Sequence, residues 1–168
     1  MKRDFFITGD THGNQILWDA CINSLLKPGD TIGVLGDFGV GFFDGRCWTE
    51  EMFYDYLEEQ PYTVLFCDGN HENFEKLKAY EISDWNGGKI QLIRKNVIHL
   101  MRGEVYEIEE KKVFVFGGGY SIDKDFRVPG KSWWPEEMPN DAEYRNATNN
   151  LEACGYKVDY GNCQGSCQ

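Results

Sequence analysis

Three times in the first half of the chain, a short apolar run ends in a glycine-bearing polar turn and gives way to a helical pattern. Phe5-Phe6-Ile7 leads into Gly9-Asp10-Thr11-His12. Thr31 to Leu35 leads into Gly36-Asp37-Phe38-Gly39, and Tyr62 to Cys67 into Asp68-Gly69-Asn70-His71-Glu72. Short continuous apolar runs read as strands covered on both faces. The stretch Asn14 to Leu26 reads as a helix on Ile16, Leu17, Cys21, Leu25 and Leu26, and Trp48 to Gln60 as one on Met52, Phe53, Tyr56 and Leu57. Asn73 to Tyr80 reads as a third. This order predicts right-handed crossovers and a parallel sheet, with the first strand in its middle.

Beyond Tyr80 the pattern changes. Lys89 to Ile93, Val97 to Met101, Gly103 to Ile108 and Lys112 to Phe116 are strand candidates too close together for helices, hence antiparallel or mixed. Glu81 to Gly88 is loop-like, with a turn or short strand around Ile82, and Glu109-Glu110-Lys111 reads as a hairpin turn. Gly117-Gly118-Gly119 makes a loop able to approach a ligand closely. Ser121 to Glu137 is irregular, a helix follows from Pro139 or Asn140 to Cys154, and Val158-Asp159-Tyr160 starts a strand. The expectation is one domain over residues 1–160, with an irregular tail over 161–168.

The turns carry the chemistry. Asp10 and His12 alternate by two, so an extended segment projects both to one side, where an oxygen and a nitrogen can share a divalent ion. Asp37 has two oxygens and can bridge two ions, and Asn70 supplies a neutral oxygen to the second. Such a pair of ions, roughly 3.5–4 Å apart, polarises a phosphoryl oxygen and activates water. His71 reads as the group beside the ions that donates to the phosphate or protonates the leaving oxygen. Asp68 and Glu72 read either as orienting that ring or as solvated acids, and His99, in an alternating strand, as structural.

A formal charge of −11 argues against a general binder of nucleic-acid backbones, but not against a phosphorylated small molecule, because bound metal ions reverse the local sign. No signal-peptide core follows Met1-Lys2-Arg3-Asp4 and no apolar run is long enough to span a bilayer, so no membrane partner and a cytoplasmic location are expected. Cys21 and Cys67 read as reduced core residues, and Cys163 and Cys167 as a loose pair in the tail.

Asp10-Thr11-His12, Gly36-Asp37 and Gly69-Asn70-His71-Glu72, each after a strand, resemble the calcineurin-like metallophosphoesterase family. The segments Gly117 to Lys124 and Ser132-Trp133-Trp134-Pro135 resemble a small bacterial or phage-borne branch of it. The resemblance covers roughly Phe5 to Tyr160. It implies an α/β fold, a two-sheet sandwich flanked by helices, and a dinuclear centre of manganese, iron, zinc or nickel. It also implies that Asp10, His12 and Asp37 hold the first ion, Asp37 and Asn70 the second, and that His71 is the catalytic histidine. Asn70 would also meet the substrate, a phosphoester, with Lys124 or Arg127 on a phosphate oxygen.

Two departures shape the expectation. Protein phosphatases of the family carry an Asp and an Arg shortly after Gly-Asp, where this chain has Phe38-Gly39-Val40-Gly41, with Asp44 and Arg46 in another register. The family also supplies histidines late in the fold, whereas this chain has three and none after His99. The expected fold is therefore C-terminally incomplete, with one ion or weakly bound ions and an exposed sheet edge suited to a homodimer. The alternative to an active hydrolase is a non-catalytic or truncated metal- or phosphate-binding module.

Overall fold

The structure, a computed structural model, describes residues 4–41 and 47–163, so Asp44, Arg46 and Cys167 lie outside the described residues. The first half forms β1 (Phe5–Thr8), α1 (Gln15–Leu17), β2 (Thr31–Leu35), α2 (Cys47–Glu58), β3 (Thr63–Cys67) and α3 (Phe74–Lys78). The second half forms β4 (Ile82–Trp85), β5 (Gly88–Arg94), β6 (Val97–Leu100), β7 (Glu104–Ile108), β8 (Lys111–Phe116), α4 (Asp141–Ala153) and β9 (Tyr160–Cys163). Among the described residues these strands make a six-stranded sheet, ordered β1-β2-β3-β6-β5-β4, and a three-stranded sheet, ordered β7-β8-β9. β1, β2, β3 and β6 run parallel, β5 pairs antiparallel with β6, and β4 pairs antiparallel with β5.

Alternation along the strands builds two cores. Val64 and Phe66 face the helices and join Trp18, Phe53, Leu57 and Leu77. Leu65 and Cys67, their neighbours, face the other way and pack with Tyr106, Ile108, Val113 and Val115 of the smaller sheet. The two-sheet sandwich flanked by helices is thus present, and β3 is buried on both faces because each face has its own cover. Side-chain caps start the helices: Asn14, Asn73 and Asn140 each accept from a backbone N–H in the first turn, and Asn140 forms a reciprocal capping box with Glu143.

Four expectations are corrected. β1 is the edge of the six-stranded order, not its middle, and Ile7 is 53% exposed; an apolar run signals burial but does not say how many neighbours a strand has. The Asn14 helix is short. After α1 the chain widens into a π turn, Trp18–Ile22, closed by Asn23 N–H to the Trp18 carbonyl at 2.9 Å. That turn rotates the buried face onto Trp18 and Ile22, leaving Ile16, Cys21 and Leu25 exposed. On α2 the buried stripe is Glu50, Phe53, Tyr54 and Leu57 rather than one containing Met52. Finally, the strand expected to break off after Tyr160 runs to Cys163 and pairs parallel with β8. No helix among the described residues is long and apolar enough to cross a membrane.

Candidate metal centre

Because β1, β2 and β3 are parallel neighbours in register, with Thr8 beside Val34 and Leu35 beside Cys67, their carboxyl ends open side by side. In such sheets that is where ligands bind. Backbone bonds then knit the three turns together. The N–H groups of Thr11 and His12 both donate to the Asp37 carbonyl, at 3.1 and 2.9 Å, and Gly13 N–H donates to the Phe38 carbonyl at 2.7 Å. The His71 N–H donates to Asp37 Oδ1 at 2.9 Å. Phe38 anchors the middle turn from behind: it is fully buried and stacks on Phe66 with centroids 4.4 Å apart.

This convergence forces uncommon backbone. His12 and Asp37 sit at φ +46° and +48°, a region that costs a non-glycine residue roughly 1–2 kcal/mol. Gly69 shows why a side chain is forbidden there, since a Cβ would lie 2.0 Å from Asp37 Oδ1. Glu72, fully buried, accepts from Gly39 N–H at 3.1 Å and Gly69 N–H at 2.6 Å and so clamps two turns. Burial, then the nearby Asp37 charge, push its carboxyl up to about 8 against the pull of those two amides.

Asp10, His12 and Asp37 each bring one ligand atom into a group spanning no more than 4.8 Å. Two carboxylates and an imidazole so placed suit a divalent metal ion. The Asp37 carboxylate is 4% exposed, whereas the Asp10 and His12 side chains are half-open to solvent. Asn70, on the neighbouring turn, donates from Nδ2 to Ser121 Oγ at 3.0 Å, which leaves its Oδ1 for another partner.

Arg127 comes to His71. Its two terminal nitrogens lie 3.3 Å from Nδ1 and 3.0 Å from Nε2, and its Nε pairs with Asp123 at 2.9 Å. Burial lowers the His71 pKa against the pull of the Asp37 carboxylate, with smaller contributions in the same direction from Arg127 and His12. The His12 and His71 rings meet edge to face at 5.4 Å. Lys124, the other cation considered, instead lies over the Tyr120 ring, 4.7 Å from its centroid.

Asp68 and Glu72 are neither solvated nor bonded to the His71 ring. Asp68 is buried between Arg102, whose Nε and NH2 reach Oδ2 at 2.7 and 2.5 Å, and His99, whose Nε2 is 3.2 Å from Oδ1. Burial alone would raise its carboxyl; the His99 hydrogen bond and the Arg102 charge outweigh that and hold it below the usual carboxylate range. His99 completes the network through Nδ1 to Gln91 at 2.9 Å and is structural, as its strand position implied. Ser121, which the residue patterns did not single out as functional, accepts from Asn70 and is linked in turn to Glu137 and through it to Trp133.

Comparison with protein families matches residues 4–163 to the calcineurin-like phosphoesterases. No curated protein and no solved structure matches the chain.

Proposed function

This chain belongs to the calcineurin-like phosphoesterase family, and from that premise we propose that it hydrolyses a phosphoester of a small phosphorylated molecule at the Asp10–His12–Asp37–Asn70 cleft. The observation that carries the reading is the clustering of Asp10, His12 and Asp37 within 4.8 Å at adjoining strand ends. Divalent ions held there supply Lewis acidity to a phosphoryl oxygen and a water of lowered pKa.

In this reading Asp10, His12, Asp37 and Asn70 Oδ1 are the groups that would hold the ions. The hydrogen bond from His71 N–H to Asp37 Oδ1 fixes the plane of that carboxylate. Arg127 neutralises phosphate charge and pairs with its oxygens, for which a planar guanidinium is suited. His71, whose pKa burial lowers, would offer a ring N–H to the phosphate or the leaving oxygen. The metals most suited to this mixed oxygen and nitrogen set are manganese, iron, zinc and nickel.

Hydrolysis of an aryl phosphate monoester and diester by the purified protein with added manganese tests the proposal. Turnover should require metal and disappear in Asp37→Asn and His71→Ala. No turnover with manganese, nickel or zinc would sink it. A second reading, a metal- or phosphate-binding module without turnover, is favoured by one observation: the chain has three histidines and none after His99. Calorimetric manganese binding by a protein inactive on both esters would select that reading instead.

A further inference from the structure

Glu137 ends a short 3-10 turn, Pro135–Glu137, and is 1% exposed. Its Oε1 accepts from two fixed donors, the Ser121 N–H at 2.9 Å and the Trp133 indole N–H at 2.8 Å. Its Oε2 accepts from the Ser121 hydroxyl at 2.7 Å. The Glu137 carbonyl meanwhile takes Gly119 N–H at 3.0 Å and Arg102 NH2 at 3.2 Å, so main chain and side chain are both tied down. Glu137 therefore joins the two segments Gly117–Lys124 and Ser132–Pro135.

The direction of these bonds is forced. A carboxylate only accepts, and a serine hydroxyl has a single proton to give. That proton goes to Glu137, so Ser121 Oγ meets Asn70 with lone pairs, and Asn70 answers with Nδ2 at 3.0 Å. The two ends of an asparagine amide are nearly identical in shape and opposite in hydrogen-bonding character. Shape does not keep Nδ2 on Ser121; the direction of the Ser121 proton does.

We infer that Glu137 is a positioning residue: through Ser121 its negative charge holds the Asn70 amide with nitrogen inward and Oδ1 presented to an ion. The inference rests on the ligand role proposed above for Asn70. It makes an asymmetric prediction for Glu137→Gln, a change of almost no volume. The glutamine oxygen must stay on the Ser121 and Trp133 N–H donors, so its NH2 falls opposite Ser121 Oγ and donates to it. The Ser121 proton is then released toward Asn70, the Asn70 amide turns over to accept it, and an NH2 group replaces the oxygen ligand.

Side-chain amide hydrogen exchange by 15N NMR on the metal-free protein reads the turnover directly, with the Asn70 signals assigned by their loss in Asn70→Asp. Exchange of the Asn70 amide should accelerate in Glu137→Gln, while the melting temperature in EDTA moves by no more than about 4 °C. Manganese affinity measured by calorimetry should fall roughly 10- to 100-fold, the usual cost of losing a group that orients a ligand. Wild-type exchange together with wild-type affinity in Glu137→Gln overturns the inference. If that variant does not fold, Ser121→Ala serves, since removing the acceptor must also free the Asn70 amide; unchanged exchange there overturns it equally. A wild-type protein that binds no manganese, yet whose Asn70 amide responds to Glu137→Gln, removes the ion-binding reading and leaves the relay standing.

Discussion

On the Asp10 side of the cleft, the candidate ligands hang from an edge strand and half of each side chain meets solvent. On the Asn70 side, Asp68, Arg102, Ser121 and Glu137 are all buried and bonded to one another or to neighbouring backbone. The first wall is shaped by backbone: two left-handed residues, and Phe38 driven into the core. The second is shaped by charged side chains with fixed partners. Carboxylates that repel one another gain their partner when a cation arrives, so they tolerate exposure until then. A neutral amide has no such pull on an ion and must be oriented beforehand, which is what a buried polar network supplies.

Four experiments would break or sharpen this contrast. The largest effect is expected for Asp37→Asn, which sits where the walls meet: metal-dependent hydrolysis should drop by roughly 10³-fold, equivalent to about 4 kcal/mol of barrier, in steady-state assays with manganese. Retained activity would mean that Asp37 does not hold a catalytic ion. Next, Arg102→Met leaves Asp68 buried without its charge partner. It should cost about 3–5 kcal/mol in urea unfolding, and Phe38→Ala on the other wall a similar 3–5 kcal/mol through its cavity.

The walls should separate in the third comparison. Asp10→Asn removes an exposed charge and should change stability by no more than about 0.5 kcal/mol, whereas loss of Arg102 does not come so cheaply. Equal costs for the two would erase the distinction. The smallest effect is expected at Asp30, on the far end of the sheet from the cleft. Backbone N–H groups of Lys27 and Asp4 hold its carboxyl below the usual range. Its contribution is therefore present above the unfolded-state pKa of about 3.9 and is lost as pH falls through the lower folded value. Asp30→Asn should flatten that acid limb in denaturation measured from pH 7 downward and leave the cleft's metal affinity unchanged.

The strand-end turns were legible because each lies within a few residues of the strand that positions it. Asp10, His12, Asp37, Asn70 and His71 could be read as one constellation once the strands were taken as parallel neighbours. What stayed hidden was whatever depends on a distant partner. Asp68 looks like a turn acid until Arg102, 34 residues on, lies against it. Ser121 looks like any loop serine until Asn70, 51 residues earlier, donates to it. Cys21 follows an apolar period that the π turn at Trp18–Ile22 breaks, leaving it exposed. Lys124 and Arg127 are indistinguishable as loop cations, and only the packing of that loop brings one of them to His71 and lays the other on Tyr120.

The sequence by itself determined the order of strands and helices, the three ligand-bearing turns and the family to which they point, because periodicity and turn chemistry are local properties. Tertiary structure alone decided that β1 is an edge, which acids are buried, and which way the Asn70 amide faces. Each of these depends on the partner that meets a group across the fold, and in a buried site that partner sets the charge, orientation and availability of every polar atom.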